Sequence, residues 1–72
     1  MNKEVVIKKI GSNIRKLRLS KGISLNKLSI ESGIDYSLLS RIEHGKINTS
    51  IFQFYKISKS LDTKMSILVE EL

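Results

Sequence analysis

Cysteine and proline are absent from this 72-residue sequence, and it has only four glycines, two tyrosines and two phenylalanines. Without cysteine, neither a disulfide framework nor a cysteine-ligated zinc site is possible. The longest apolar runs, residues 5–7 and 67–69, are three residues long, whereas a signal peptide needs about 7–15 apolar residues and a membrane span about 20. We therefore expect a soluble, cytoplasmic protein.

Acidic residues are scarce in the first third of the chain. The whole sequence has a formal net charge of +6, and residues 1–21 carry seven basic side chains against the single acidic Glu4. This excess favours a polyanionic partner, either nucleic acid or an anionic membrane surface. The alternative is a basic surface that only keeps the protein in solution.

The length predicts a single domain over residues 1–72. A chain this short buries only roughly 60% of its unfolded surface and tends to be marginally stable. A partner that binds only the folded state would add stability, so a homodimer is favoured.

Apolar residues recur at helical spacing, and β-type alternation is absent. This pattern predicts an all-α fold, a compact bundle of five short helices. The first helix ends at Lys21 and Gly22, and Gly11 is interpreted as lying at its start. One stripe of this helix consists of Ile7, Ile10, Ile14 and Leu17.

A sharp turn between two helices occupies the middle of the chain. Ser24 is a good N-cap for a second helix that runs to about Ser32, because its hydroxyl can accept an otherwise unpaired backbone N–H. Gly33 permits positive φ in the turn, and Asp35 caps a third helix that Gly45 ends. The residues expected to be buried here are Leu25, Leu28, Ile34, Leu39 and Ile42.

Two further helices follow a polar loop at residues 46–50. Ser50 or Thr49 is expected to cap the fourth helix, and the last runs from about Lys64 to Glu71. Their expected inner residues are Ile51, Phe54, Ile57 and Leu61 in the fourth helix, and Met65, Leu68 and Leu72 in the fifth.

The third helix has a polar outward face. Ser37, Ser40, Arg41 and His44 are spaced i, i+3, i+4 and i+7, so they share one side of the helix, and Tyr36 borders it. None is a carboxylate, which phosphates would repel, and arginine can bind guanine O6 and N7 in a bidentate fork. These features predict a helix-turn-helix whose second helix, residues 35–44, enters the major groove of DNA.

The stretch GISLNKLSIESGIDYSLLSRIEHGKINTS, residues 22–50, resembles the lambda-repressor/Cro-like helix-turn-helix family, also called the XRE family. The similarity covers about residues 10–68, including IGSNIRKLR and FYKISKSLD, and places the helix-turn-helix at about 24–45. It implies a lambda-repressor-like DNA-binding domain and a structural ion pair between Arg18 and Glu43. The matching positions are Gly22, Ser24, Leu28, Ser29, Gly33, Ile34, Asp35, Ser40, Ile42, Glu43 and Gly45.

The sequence departs from the family pattern at three positions. Leu25 stands where the family often has a glutamine that touches a phosphate, so Asn26 or Lys27 is expected to take over that contact. Ser29 replaces the usual alanine, which still lets two helices approach closely. Thr49 replaces a proline after the loop asparagine. None of the three departures contradicts the predicted fold.

The outward face and the resemblance together predict two classes of DNA contact. Base contacts are expected from Tyr36, Ser37, Ser40 and Arg41. Phosphate contacts are expected from Arg15, Ser24, Asn26, Lys27, His44, Lys46, Asn48 and Thr49. His44 is the only histidine, so we expect no metal site.

The predicted function is a sequence-specific regulator of transcription that binds a pseudo-palindromic operator in double-stranded DNA as a homodimer. It resembles small phage repressors and the controllers of restriction–modification systems. An enzyme is not expected, since the sequence has neither a glycine-rich phosphate loop nor an activated nucleophile, and no cofactor or small-molecule ligand is expected. The candidate residues for dimer formation are Phe52, Tyr55, Ile67, Val69 and Leu72.

Two other functions remain open from the sequence. The first is an antitoxin-like interaction module whose main act is to mask a partner protein. The second is membrane-surface binding by residues 3–21, although the apolar stripe there lacks aromatic anchors and is needed by the core.

Overall fold

The first helix begins well before Gly11. In the computed structural model, which describes residues 2–72, α1 spans Lys3–Ser20 because the Asn2 side chain caps it, accepting a hydrogen bond of 2.9 Å from the backbone N–H of Val5. The interpretation of Gly11 as a helix start is therefore wrong. Gly11 is buried in the middle of α1, where a Cβ would collide with the carbonyl oxygen of Ile42.

Four more helices complete the all-α fold that the sequence predicts. Ser24, Asp35 and Ser50 cap α2, α3 and α4 through their side-chain oxygens. Ser50 and not Thr49 caps α4, in a capping box with Gln53. Residues 2–72 contain no β-strand. The helices are α2 (Leu25–Ser32), α3 (Tyr36–Glu43), α4 (Ile51–Ser60) and α5 (Met65–Leu68).

The last helix is a single turn, so its predicted extent from Lys64 to Glu71 is wrong. Glu71 has a φ of 66°, which a right-handed helix does not accommodate. The side-chain amide of Asn13 in α1 instead donates to the carbonyl oxygens of Leu68 and Glu70, at 2.9 and 3.1 Å. The Asn13 side chain therefore binds backbone carbonyls at and after the end of α5, where helical hydrogen bonds end.

The core contains residues from all five helices. The prediction that Ile51 and Leu72 are inner residues is wrong. Ile51 is 75% exposed because it is the first residue of α4 and lies outside the core, and Leu72 is 43% exposed because α5 ends before it. Leu25 and Met65 are half-buried against the core. The buried apolar residues are Ile14, Leu28, Ile34, Leu39, Ile42, Phe54, Ile57, Leu61 and Leu68.

None of the helices in the described part of the chain has the length and apolar character that crossing a bilayer requires.

Candidate nucleic-acid interface

The turn between α2 and α3 is held by serine side chains. Gly33 adopts a φ of 72°, and Ile34 then turns back into the core. The Ser29 hydroxyl donates to the carbonyl oxygen of Ile34 at 2.6 Å, and the Ser32 hydroxyl accepts from the N–H of Ile34 at 3.2 Å. Both backbone polar groups of this buried residue are thus paired, which removes the cost of burying them unpaired.

The hydrogen bonds of these two serines were not predicted from the sequence, from which we expected only that the small size of Ser29 would let two helices approach closely. Small polar residues in the last helical turn before a glycine were the available signal, because serine hydroxyls readily bond to nearby backbone groups. Their effect is to hold Ile34 in the turn that joins α2 to α3.

The back of α3 is attached to α1 by a buried ion pair. Arg18 Nε donates to Glu43 Oε2 at 2.7 Å and Arg18 Nη2 to Glu43 Oε1 at 3.0 Å, while Nη1 donates to the carbonyl oxygen of Ile23 at 2.8 Å. The side chains of Arg18 and Glu43 are 9% and 1% exposed. The hydrogen bond to Glu43 raises the pKa of Arg18 above its ordinary value, although burial opposes this. The guanidinium therefore stays charged.

The opposite side of α3 faces outward. Tyr36, Ser37, Arg41 and His44 are exposed, and Ser40 is half-buried. Arg41 Nε lies 3.5 Å from the carbonyl oxygen of Ser37, a distance too long for a strong hydrogen bond. The guanidinium can therefore bind other acceptors, and its donors can match the two acceptors on a guanine edge.

His44 is oriented by its own helix. Its Nδ1 lies 2.7 Å from the carbonyl oxygen of Ser40, and because a carbonyl oxygen only accepts, Nδ1 is the donor in this contact. Within residues 2–72, no three of histidine, cysteine, aspartate and glutamate side chains gather as a metal site would need.

The candidate phosphate contacts lie on three segments. Ser24, Asn26 and Lys27 occupy the start of α2, and all three are exposed. The Ser24 oxygen accepts from the N–H of Lys27 at 3.0 Å, which leaves the hydroxyl hydrogen available. Lys27 also lies 3.8 Å from Glu31 in an exposed pair, a weak interaction that a phosphate can replace. Arg15 is exposed on α1.

The remaining phosphate candidates lie in the loop between α3 and α4. Lys46 and Asn48 are exposed, and Thr49 is half-buried. The Asn48 side-chain oxygen accepts from the N–H of Thr49 at 2.9 Å, so its amide N–H groups stay available as donors. The Thr49 hydroxyl lies 3.2 Å from Gln53 Oε1 and is therefore engaged in shaping the loop.

The predicted dimer residues form two exposed apolar surfaces outside this interface. On α4, Phe52 and Tyr55 are 64% and 46% exposed, and the Lys56 ammonium lies 5.1 Å from the Phe52 ring centre. Exposed Ile51 enlarges this surface. The other surface contains Ile67 and Leu72, which are exposed, and Val69, which is half-buried.

The sequence profile of the HTH_3 helix-turn-helix family matches residues 14–68, which include the turn, the ion pair and all of α3. The chain belongs to this family. SlrR of Bacillus subtilis, a helix-turn-helix transcriptional regulator, is 40% identical over 62 residues, 85% of this chain and 41% of SlrR. The regulator y4dJ of Sinorhizobium fredii is 32% identical over 54 residues, 75% of this chain and 70% of y4dJ.

Solved structures give the same fold. The restriction–modification controller protein C.AhdI from Aeromonas hydrophila superposes with a TM-score of 0.84 at 34% identity, over 86% of this chain and 94% of C.AhdI. The controller C.Esp1396I has a TM-score of 0.82 at 28% identity, over 92% and 90% of the two chains. This chain thus spans nearly the whole of these controllers but less than half of SlrR. The named relatives are regulators of transcription and not enzymes.

Proposed function

We propose that this chain binds an operator in double-stranded DNA and regulates transcription, with α3 in the major groove. The observation that carries the proposal is the contrast between the two sides of α3. Leu39, Ile42 and Glu43 are buried, whereas the face with Ser37 and Arg41 is exposed. A recognition helix needs this arrangement, since its back must be rigid while its donors reach base edges.

The outer face of α3 supplies the sequence selection. Arg41 takes guanine O6 and N7, and Ser37 and Ser40 serve either base edges or phosphates. Tyr36 lies at the start of α3, the end that enters the groove in this motif, and offers its ring to a thymine methyl or a sugar. The candidate phosphate contacts on α1, α2 and the α3–α4 loop add affinity and fix the orientation of the domain.

The active form in this proposal is a homodimer on a pseudo-palindromic operator. An eight-residue helix reads too few base pairs to be selective alone, and dimers of this motif bind half-sites about 34 Å apart. The structural neighbours C.AhdI and C.Esp1396I are restriction–modification controllers. Their similarity supports a small regulator of this type, or of the phage-repressor type, in which residues 1–72 act as one DNA-binding domain.

Selection of bound duplexes from a random pool, followed by gel shifts with the selected and a scrambled duplex, tests this proposal. Arg41→Ala is expected to lower discrimination between the two by about 1–3 kcal/mol, because one bidentate base contact is lost. Lys46→Ala is expected to weaken both complexes alike and to reduce the salt slope by about 0.9 per contact. Lys59→Ala, which removes an exposed lysine in the last turn of α4, is the matched control for Lys46→Ala.

Equal losses on both duplexes for Arg41→Ala and Lys46→Ala would refute this division of roles. A wild-type protein that binds no duplex but copurifies with a second protein would favour the antitoxin-like alternative.

A further inference from the structure

Two neighbouring lysines near the start of α1 contact different parts of the molecule. Lys9 Nζ lies 3.9 Å from Glu71 Oε2, at the C-terminal end of the chain. Lys8 lies against Gly45, since a Cβ built on Gly45 would be 2.6 Å from Lys8 Cγ and 2.8 Å from Lys8 Cα. Consecutive helical residues point about 100° apart, so the two ammonium groups lie on different flanks of α1.

Lys8 therefore belongs to the flank of α1 that borders α3. Gly45 follows His44, the C-cap of α3, and Lys46 comes next. Arg15 is seven residues from Lys8, which places it on the same stripe of α1 two turns away. Lys8 is exposed, and within residues 2–72 it forms no salt bridge with a carboxylate.

We propose that Lys8 binds a backbone phosphate of duplex DNA beside the groove that α3 occupies. This inference rests on the proposed function and extends its phosphate contacts to the first half of α1. The aliphatic stem of Lys8 packs on a residue that has no side chain, so the stem is restrained while the ammonium stays in solvent. Restraint before binding lowers the entropy that a long flexible side chain loses when it binds a phosphate.

The contact adds affinity for every sequence and carries no base selection. The proposed contact also distinguishes two lysines that cannot be told apart from the sequence alone. Lys8 and Lys9 have the same charge and adjacent positions in a basic segment, and their contacts in the fold, Lys8 with Gly45 and Lys9 with Glu71, distinguish them.

The test compares Lys8→Gln with Lys9→Gln in the full chain. Each variant removes one positive charge from adjacent positions, so the long-range field falls almost equally. Binding of a selected operator duplex and of a scrambled duplex, each of about 30 base pairs to hold two half-sites, is measured by fluorescence anisotropy over a range of KCl concentrations.

Lys8→Gln is expected to weaken both duplexes by about eightfold per bound protomer near 0.1 M salt, and to reduce the salt slope by about 0.9 per protomer. Lys9→Gln is expected to change affinity by less than about twofold, since only the general field falls. Lys8→Arg is expected to restore both affinity and slope.

Equal slopes and affinities for the two glutamine variants would overturn the inference and leave the proposed function standing, provided that wild type still prefers its operator. Weaker binding by Lys8→Gln with an unchanged slope would also overturn it, because it would indicate that the stem of Lys8 only supports Gly45. A wild-type protein with no salt-dependent affinity for either duplex would overturn the proposed function and this inference together.

Discussion

At the residue scale, the position of α3 depends on a few polar side chains in the core. Both carboxylate oxygens of Glu43 accept from Arg18, whose third donor reaches the carbonyl oxygen of Ile23 in the loop before α2. One arginine therefore joins α1, α3 and the α1–α2 loop. Removing one partner of such a pair strongly destabilises the fold, because the other partner stays buried and charged.

Replacing Glu43 with alanine is expected to lower the melting temperature sharply. Removing one partner of a buried pair costs about 3–5 kcal/mol, and each 1 kcal/mol moves the melting temperature of a domain this small by about 4–8 °C. Thermal unfolding followed by circular dichroism measures the shift. Glu31→Ala is the control, since it removes an exposed carboxylate 3.8 Å from Lys27 at a cost of about 0.5 kcal/mol or less. Similar melting temperatures for the two variants would contradict the prediction.

Much of the local structure could be predicted from single residues. Ser24, Asp35 and Ser50 cap helices as their chemistry indicates, and Gly33 has the positive φ that the turn requires. The partners of the Ser29 and Ser32 hydroxyls could not be predicted, although small polar residues just before a glycine indicate bonds to nearby backbone groups. A hydroxyl can bond to a carbonyl or N–H only when the turn brings that group within reach, and sequence spacing does not give the geometry of the turn.

At the element scale, the packing of α1 against α3 decides how firmly α3 is held. A Cβ on Gly11 would collide with the carbonyl oxygen of Ile42 and lie 2.8 Å from that of Glu43. Periodicity predicts which side of a helix is buried, but it says nothing about how close the neighbouring backbone comes. Periodicity also does not show where helical hydrogen bonds begin and end. The role of Gly11, the start of α1 and the length of α5 were therefore predicted wrongly.

Gly11→Ala tests this close packing with two effects of opposite sign. Alanine is favoured over glycine inside a helix by about 1 kcal/mol, whereas forcing extra volume into a packed core costs about 1–3 kcal/mol. Because the colliding atoms belong to the backbone and cannot rotate aside, we expect the collision to dominate. The variant should unfold at lower urea concentration than wild type and bind its operator more weakly, since α3 must shift.

Ser12→Ala is the matched control for Gly11→Ala. Ser12 is the next residue of α1 and is half-buried, so alanine there gains helix propensity without the collision. Its stability should equal or exceed that of wild type. A Gly11→Ala protein more stable than wild type would show that α1 and α3 separate easily, against the packing described here.

At the scale of the whole molecule, the candidate DNA contacts and the candidate dimer surfaces lie on different elements. The polar face of α3 and the flank of α1 with Lys8 and Arg15 lie next to each other, whereas the two candidate dimer surfaces lie on α4 and around α5. Both apolar surfaces contain residues predicted from the sequence as dimer candidates, and the sequence alone does not indicate which surface forms the interface. Exposure favours α4, because Ile51 adjoins Phe52 and Tyr55 there instead of entering the core.

Phe52→Lys is therefore expected to abolish dimer formation and Ile67→Lys to leave it intact. An aromatic side chain at the centre of an interface contributes strongly to affinity, and a buried lysine without a partner opposes association. Sedimentation equilibrium distinguishes the 8.2 kDa chain from a species of twice that mass. Leu19→Lys, on the exposed side of α1, controls for the added charge. The Phe52→Lys monomer should also lose operator affinity, because it carries one copy of α3 and a dimer carries two. A dimer that survives Phe52→Lys but not Ile67→Lys would assign the interface to the surface around α5.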